Sequence, residues 1–312
     1  MSDPKPVSPW PGRWALATLL AAIPLVVLGG LVTTLRAGMA EDGWLQPEGY
    51  WLWMYPLEKR MVSLGRFVEH HHREFGSLVG LLSIATVLAT LFAKAGARAF
   101  WIAFLGLVAV SGQGVVGGLR VLENNPRLAF LHGVLGQIVF GILTLVAILL
   151  SVRWRRSELP RLAAPVGMAW RAKILLGALL IQVTLGGWYR HGHGHTAIAL
   201  HGFGALFVVW WGLQVARSLR KASKTFETGS AGALHLRSNA LWLTGTLHLQ
   251  WLLGATALYA LFALSDGMSG QHISRSEIVF STLHVTVGAM LTAVVVWTYL
   301  WTDRLDSPTQ GS

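Results

Sequence analysis

Four histidines recur at comparable places along the chain: His72, His132, His201 and His284. Each lies early in an apolar segment, and each follows a phrase that ends in small residues. Those phrases are Leu28-Gly29-Gly30, Gln113 to Gly117-Gly118, Gln182 to Gly186-Gly187, and Gln250 to Gly254-Ala255. Gln113 precedes His132 by 19 residues, and Gln182 precedes His201 by the same 19. Three of the histidines are followed four residues later by glycine (Gly76, Gly136, Gly288), and His201 is followed by Gly204. A polar side chain inside an apolar segment is costly and is usually functional. Neutral imidazole is a good ligand for iron. One such histidine alone is more simply an interhelical hydrogen-bonding residue. Four in register point to two pairs of axial ligands, each pair holding one haem. The glycines one turn beyond would leave room for a porphyrin edge, since residues i and i+4 share a helix face.

The densest chemistry is Glu69-His70-His71-His72-Arg73. Glu69 and His72 stand three apart and so share a face, which puts a carboxylate beside a ligand at membrane depth. Arg73 would either pair with Glu69 at i+4 or bind a haem propionate, since guanidinium recognises carboxylates bidentately. His70 and His71 are expected to point elsewhere. Three further histidines, His191, His193 and His195, alternate with glycine and are expected to form an exposed, flexible loop with no cofactor. His248 reads as a packing or hydrogen-bonding residue, and His235 and His272 as loop residues.

The elements that must position these groups follow from composition. Charged residues make up 12% and hydrophobic residues 53% of the chain, whereas a soluble domain needs about a quarter charged. Apolar runs of about 20 residues cross a bilayer as helix. Eight occur, at roughly 14–35, 68–93, 98–119, 128–152, 171–189, 196–217, 238–263 and 278–301. The first is read as a retained helix rather than a cleaved leader. The expected fold is an all-α integral membrane protein of eight transmembrane helices, arranged as two pseudo-two-fold-related four-helix bundles. Residues 1–152 would form one bundle, 153–170 the linker, and 171–312 the other. An even number of helices per half keeps both halves the same way up, so the pseudo-axis would lie along the membrane normal.

Lys and Arg concentrate in alternate connections, including Arg153, Arg155, Arg156, Arg220, Lys221 and Lys224. By the positive-inside rule both termini are cytoplasmic and all four histidines lie in the outer leaflet. The net charge of +11 is thus a topology signal and gives no reason to expect nucleic acid as a partner. The one long outer connection, 36–66, is rich in Trp and Tyr: Trp44, Tyr50, Trp51, Trp53 and Tyr55. It is either an interfacial aromatic belt or a lid over a cofactor or substrate. Cysteine is absent, which excludes disulfides, Fe–S clusters, thiolate-ligated haem and covalently attached haem.

At these residues the sequence resembles the haem A synthase family, membrane enzymes that oxidise haem O to haem A. Glu69 to Arg73 fits the family's Glu-x-x-His-Arg motif. Tyr55-Pro56-Leu57 before it and Gly76-Ser77-Leu78-Val79-Gly80 after it, the Gln-x-x-x-Gly-Gly phrases and the lone histidines of the even helices complete the likeness, over nearly the whole chain. The resemblance implies that His72 and His132 ligate the substrate haem O. It implies that His201 and His284 ligate a resident haem b passing electrons, and that Glu69 is the catalytic carboxylate. A ring methyl would become a formyl through successive oxidations. Glu69 would stabilise developing positive charge or take a proton. Two departures stand out. The outer-loop cysteine pair of many bacterial members is missing. In Arg127-Leu128-Ala129-Phe130-Leu131-His132, the histidine falls one residue later than in the family, which leaves Arg127 as a loop charge that would meet a propionate.

The location implied is a bacterial-type cytoplasmic membrane, with the lipid bilayer as surroundings. Candidate partners are an electron acceptor or donor, a haem O synthase or oxidase-assembly protein, and a second copy of the chain. Two other functions use the same four histidines. One is a di-haem b-type electron carrier reacting with quinone, which needs no carboxylate one turn from a ligand. The other is a haem-handling protein for an assembly pathway, in which Glu69 is a structural ion-pair partner.

Overall fold

The computed structural model describes residues 7–156, 167–192, 194–265 and 272–306, and among them there is no strand. Eight helices among the described residues are long and apolar enough to cross a membrane. They are α1 (Trp10–Thr34), α2 (Leu64–Phe92), α3 (Ala97–Leu122), α4 (Pro126–Leu150), α5 (Met168–Gly192), α6 (His195–Ser223), α7 (Ala231–Ala263) and α8 (Arg275–Asp306). Most run a few residues beyond the apolar stretches that mark them, because polar turns at each end continue the helix. Thus α7 begins at Ala231, and His235, expected in a loop, is buried within it. Most of the expected linker, including Arg161, lies outside the described residues, as does His193.

Local chemistry explains where several helices start. The Ser63 side chain accepts the Arg66 N–H at the head of α2, and Ser230 accepts the Ala233 N–H at the head of α7. Asn125 caps α4 by accepting from Arg127 N, with Pro126 in the first turn, where its missing N–H costs nothing. The α2–α3 connection turns through Lys94 and Gly96, both at positive φ. The faces these helices turn outward are apolar: Phe92, Phe203 and Trp242 are 82%, 73% and 61% exposed. Apolar surface on this scale belongs in a bilayer rather than in water.

The packing closes two rings. In the first, α1 and α3 each pack on α2 and α4; in the second, α5 and α7 each pack on α6 and α8. The rings meet through α1·α8, α4·α5 and α4·α8. Exchanging each helix for the one four later leaves this pattern unchanged. Close contacts repeat under the same exchange. A Cβ on Gly30 would stand 3.2 Å from Thr282, two residues before His284, and one on Gly187 would stand 3.3 Å from Phe130, two residues before His132.

The apolar cores occupy one half of each bundle. Leu175, Leu219, Leu243 and Val295 fill the second, and Ala103, Val146 and Leu150 fill the first. The histidines sit in the other half, where glycine is frequent and the four imidazoles are only partly buried.

Candidate haem sites

Histidines from diagonally opposed helices meet inside each bundle. The rings of His72 (α2) and His132 (α4) have centroids 6.2 Å apart and are inclined at 82°. Those of His201 (α6) and His284 (α8) are 6.1 Å apart at 81°. A metal–imidazole bond is about 2 Å and the ring centroid lies roughly 1.1 Å beyond the nitrogen, so two trans imidazoles on one metal stand about 6 Å apart. Both pairs have that spacing. No group of three or more His, Asp or Glu able to hold a bare metal ion occurs among the described residues. An iron already held by four porphyrin nitrogens needs only two.

Each imidazole is seated by the helix before it. A Cβ on Gly29, Gly117, Gly186 or Gly254 would stand 3.0, 2.6, 2.9 and 2.9 Å from Cε1 of His72, His132, His201 and His284 respectively. The same ring edge faces glycine in all four, so the small-residue phrases are imidazole seats. One turn earlier on the same helix, backbone and side-chain groups reach the ring nitrogens. His72 Nδ1 donates to Leu25 O at 3.1 Å, and His201 Nδ1 donates to Gln182 O at 3.1 Å. Gln113 Nε2 donates to His132 O at 2.8 Å and lies 3.2 Å from Nδ1; Gln182 Nε2 donates to His201 O at 2.7 Å. Gln250 Nε2 lies 3.4 Å from His284 Nε2, while His284 Nδ1 is buried without a partner. The glycines after the histidines, expected to face a porphyrin, instead make room for these glutamines. A Cβ on Gly136 or Gly288 would stand 3.2 or 3.3 Å from the Gln113 or Gln250 amide nitrogen, and one on Gly204 would overlap Gln182. The matched spacing and the seated rings fit haem iron.

The surroundings of the two pairs differ. Beside the first, the outer connection folds back on the bundle. Glu69, 3% exposed, accepts on Oε2 from the backbone N–H of Ala40 (2.7 Å) and Glu41 (3.0 Å), and on Oε1 from Arg73 (2.7 Å). Arg73 also donates to the carbonyls of Glu41 and Gly43. The i+4 ion pair therefore forms, but as a nearly buried clamp on residues 40–43. Arg120 donates to Gly38 O at 2.7 Å, and Trp44 lies on Gly118 so closely that a Cβ there would overlap the indole. Glu41 and His70, both with fully buried side chains, meet at 3.1 Å, and Tyr55 stacks on His70 at 4.9 Å. The connection is thus part lid and part belt: Leu52 and Tyr55 are buried, whereas Trp51 and Trp53 are 61% and 56% exposed.

Beside the second pair, one helix ends at Gly192 and the next begins at His195, so no comparable length of chain lies between them. His191, expected in a flexible loop, is helical; its Nε2 lies 3.3 Å from where a Cβ of Gly133 would be, next to His132. Arg190 crosses between bundles to donate to Gly30 O (3.3 Å) and the Thr34 hydroxyl. His71 bonds its own helix at Phe67 O, and His248 does so at Thr244 O. Arg127 stands exposed in the first turn of α4. Sequence reasoning missed Glu41, Arg120 and Arg190, because an isolated charge near a helix end carries no periodic signal.

Outside the membrane-spanning helices, pairing shifts two groups. A hydrogen bond from Lys59 holds the Glu48 carboxyl below its usual range, and the same bond holds Lys59 above its own. Burial pushes the Tyr55 phenol up.

The fold and these sites define a multi-pass helical membrane protein with two paired-histidine centres. By sequence the chain is similar to haem A synthases. It is 31% identical over 207 residues to the heme A synthase of Beijerinckia indica subsp. indica, a match covering 55% of each chain. It is 26% identical over 209 residues to the heme A synthases of two strains of Cereibacter sphaeroides, covering 55% of this chain and 52% of theirs. The chain thus spans about half the length of the curated relatives it matches. No family model matches the sequence.

Proposed function

We propose that this protein is a haem A synthase-type oxidoreductase, which oxidises a ring methyl of haem O to the formyl of haem A. The observation that carries the reading is the inequality of two otherwise matched centres. Both have paired imidazoles about 6 Å apart, but among the described residues only the N-terminal pair has a buried carboxylate and a folded-back connection beside it. An electron carrier with two equivalent haems has no use for that difference.

In this reading His72 and His132 hold the substrate haem, and His201 and His284 hold a resident haem b. Bound there, haem b supplies one-electron redox chemistry. The chain's own residues do the rest. The four glycine seats and the backbone acceptors fix imidazole orientation, which sets ligand strength. The clamp formed by Arg73, Arg120 and Trp44 keeps residues 38–44 over the first centre and excludes water. Glu69 has about four lone-pair sites, and three donors reach it. One acceptor position remains for a substrate hydroxyl or its proton. Arg120, within electrostatic reach of Glu69 and both N-terminal histidines, supplies positive charge suited to propionates, along with Arg73 and Arg127.

The helix exchange pattern supports two bundles related by a two-fold axis along the membrane normal, with a basic linker between them. The bias of Lys and Arg supports cytoplasmic termini in a bacterial-type inner membrane. Partners in this role would be an electron carrier and the haem O synthase or oxidase-assembly apparatus.

The test is expression in cells that make haem O but no haem A, followed by extraction and chromatography of the haems. Haem A, or its hydroxylated precursor, should appear only with this protein. His201→Ala and His284→Ala should lose resident haem b, and His72→Ala should chiefly abolish conversion. Full conversion by Glu69→Ala would overturn the catalytic role of Glu69. Two bound haems with no conversion would favour the electron carrier.

A further inference from the structure

Two of the four glycine seats are followed, one turn on, by an arginine. Arg120 stands three residues beyond Gly117 in α3, and Arg190 four beyond Gly186 in α5. The same places in α1 and α7 hold Val32, Thr33, Ala257 and Leu258, so each centre has one such cation. Gly186 faces Cε1 of His201 at 2.9 Å, and residues i and i+4 share a helix face. Arg190 therefore stands at the rim of the C-terminal centre, with His284 in its electrostatic reach.

Arg190 is a charge without a counter-charge. It donates through Nη2 to Gly30 O at 3.3 Å and to the Thr34 hydroxyl, which leaves Nε and Nη1 for another acceptor. Glu277, in the first turn of α8, is within electrostatic reach but forms no ion pair with it among the described residues. A guanidinium at membrane depth is costly unless paired. A second polar group close by is also unused. The Thr282 hydroxyl, in a residue 5% exposed, has no partner among the described residues, whereas Thr286 and Thr292 bond the carbonyl four residues back. Thr282 precedes His284 by two residues and packs on Gly30, the residue whose carbonyl Arg190 reaches. Free guanidinium nitrogens and a free hydroxyl beside one haem centre suit a carboxylate, and haem carries two, its propionates.

We propose that Arg190 and the Thr282 hydroxyl hold a propionate of the haem in the C-terminal centre. The inference rests on the reading of His201 and His284 as that haem's ligands. Arg190 keeps its Nη2 on α1 while its remaining donors take the carboxylate, so the resident haem is anchored from the seam between the two bundles.

The experiment uses the full chain with His72→Ala, purified haem-free in detergent, in which only the C-terminal pair is complete. It is titrated with haem b and with haem b dimethyl ester, whose propionates are masked and uncharged, and affinity is read from the Soret band. The parent should prefer haem b by about tenfold. Arg190→Gln should lose about that factor for haem b and keep its affinity for the ester, and Thr282→Val should lose less, again for haem b alone. The reduction potential of bound haem b should fall in Arg190→Gln, because a cation beside the haem favours the reduced state, and should be held in Arg190→Lys. Equal binding of haem b and its ester by the parent overturns the proposal without any variant. So does equal loss of both ligands in Arg190→Gln, which would mark a packing role. If Arg190→Gln fails to fold, an unchanged ratio of haem b to ester affinity in Thr282→Val overturns it instead. Binding of neither ligand by the His72→Ala protein would remove the C-terminal haem site itself, a different failure from haem b and ester bound alike.

Discussion

The backbone N–H of Glu41 donates to Oε2 of Glu69 at 3.0 Å, while the Glu41 side chain is held by His70 at 3.1 Å. The carboxylate beside the N-terminal pair therefore owes its position to a residue 28 positions earlier in the chain. That residue is itself pinned by the neighbour of Glu69 on α2. Motif and loop form one unit.

His70→Ala should damage this unit without touching a haem. Removing one partner of a buried hydrogen bond leaves the other unsatisfied, at a cost of roughly 1–3 kcal/mol or more. Thermal unfolding of the His70→Ala protein should fall accordingly, and proteolysis within 36–46 should accelerate. Conversion of haem O should drop, because Ala40 and Glu41 no longer hold Glu69. A double substitution, Glu41→Leu with His70→Leu, should recover most of the stability but not the conversion. Unchanged proteolysis of the loop in His70→Ala would show that the pair does not hold it.

The glycine seats make a site-selective prediction. Alanine at Gly186 or Gly254 places a Cβ 2.9 Å from an imidazole carbon, and overpacking of this kind costs roughly 1–3 kcal/mol. Haem b retention should fall in Gly186→Ala and Gly254→Ala, while Gly117→Ala and Gly29→Ala should weaken only the N-terminal centre. Haem content per chain, measured as the pyridine complex, separates the two classes. Equal loss from all four variants would mean that the seats serve general packing.

The outer connection should loosen in acid before the bundles do. The Glu48 carboxyl is depressed by Lys59, with Arg66 also 2.9 Å away. A depressed acid contributes stability that is present above its ordinary value of 4.5 and is lost as pH falls through its folded value. Lys59 is raised above 10.5, so its contribution is present below that pH and disappears only as pH rises through the folded value. Tyr55, raised by burial, behaves likewise above 10.0. Between these limits the segment should be indifferent to pH. Hydrogen-exchange protection across 47–60, corrected for the intrinsic rate at each pH, should fall below pH 4.5 and stay flat from 6 to 9; Glu48→Gln should abolish the acid response.

By itself the sequence determined the eight spans, because a bilayer needs about 20 apolar residues and that count is local. It also determined the four histidines, because a small-residue phrase and then a lone histidine recur along the chain, at the same spacing in two of the four cases. Helix ends were less legible, since amphipathic turns such as 231–237 continue a helix without being apolar, and so His235 passed for a loop residue. Tertiary structure alone decided what faces what. The glycines after the histidines could have faced a porphyrin or a neighbouring side chain, and only packing turned Gly136, Gly204 and Gly288 toward glutamines. Whether residues 36–66 were belt or lid depended on the burial of Glu41 and Tyr55, which no hydropathy pattern encodes. The physical reason is range. Helix formation and membrane insertion read neighbours within a turn or two, whereas the partners of Glu69, His70 and Leu25 come from helices and loops whose meeting depends on the whole bundle.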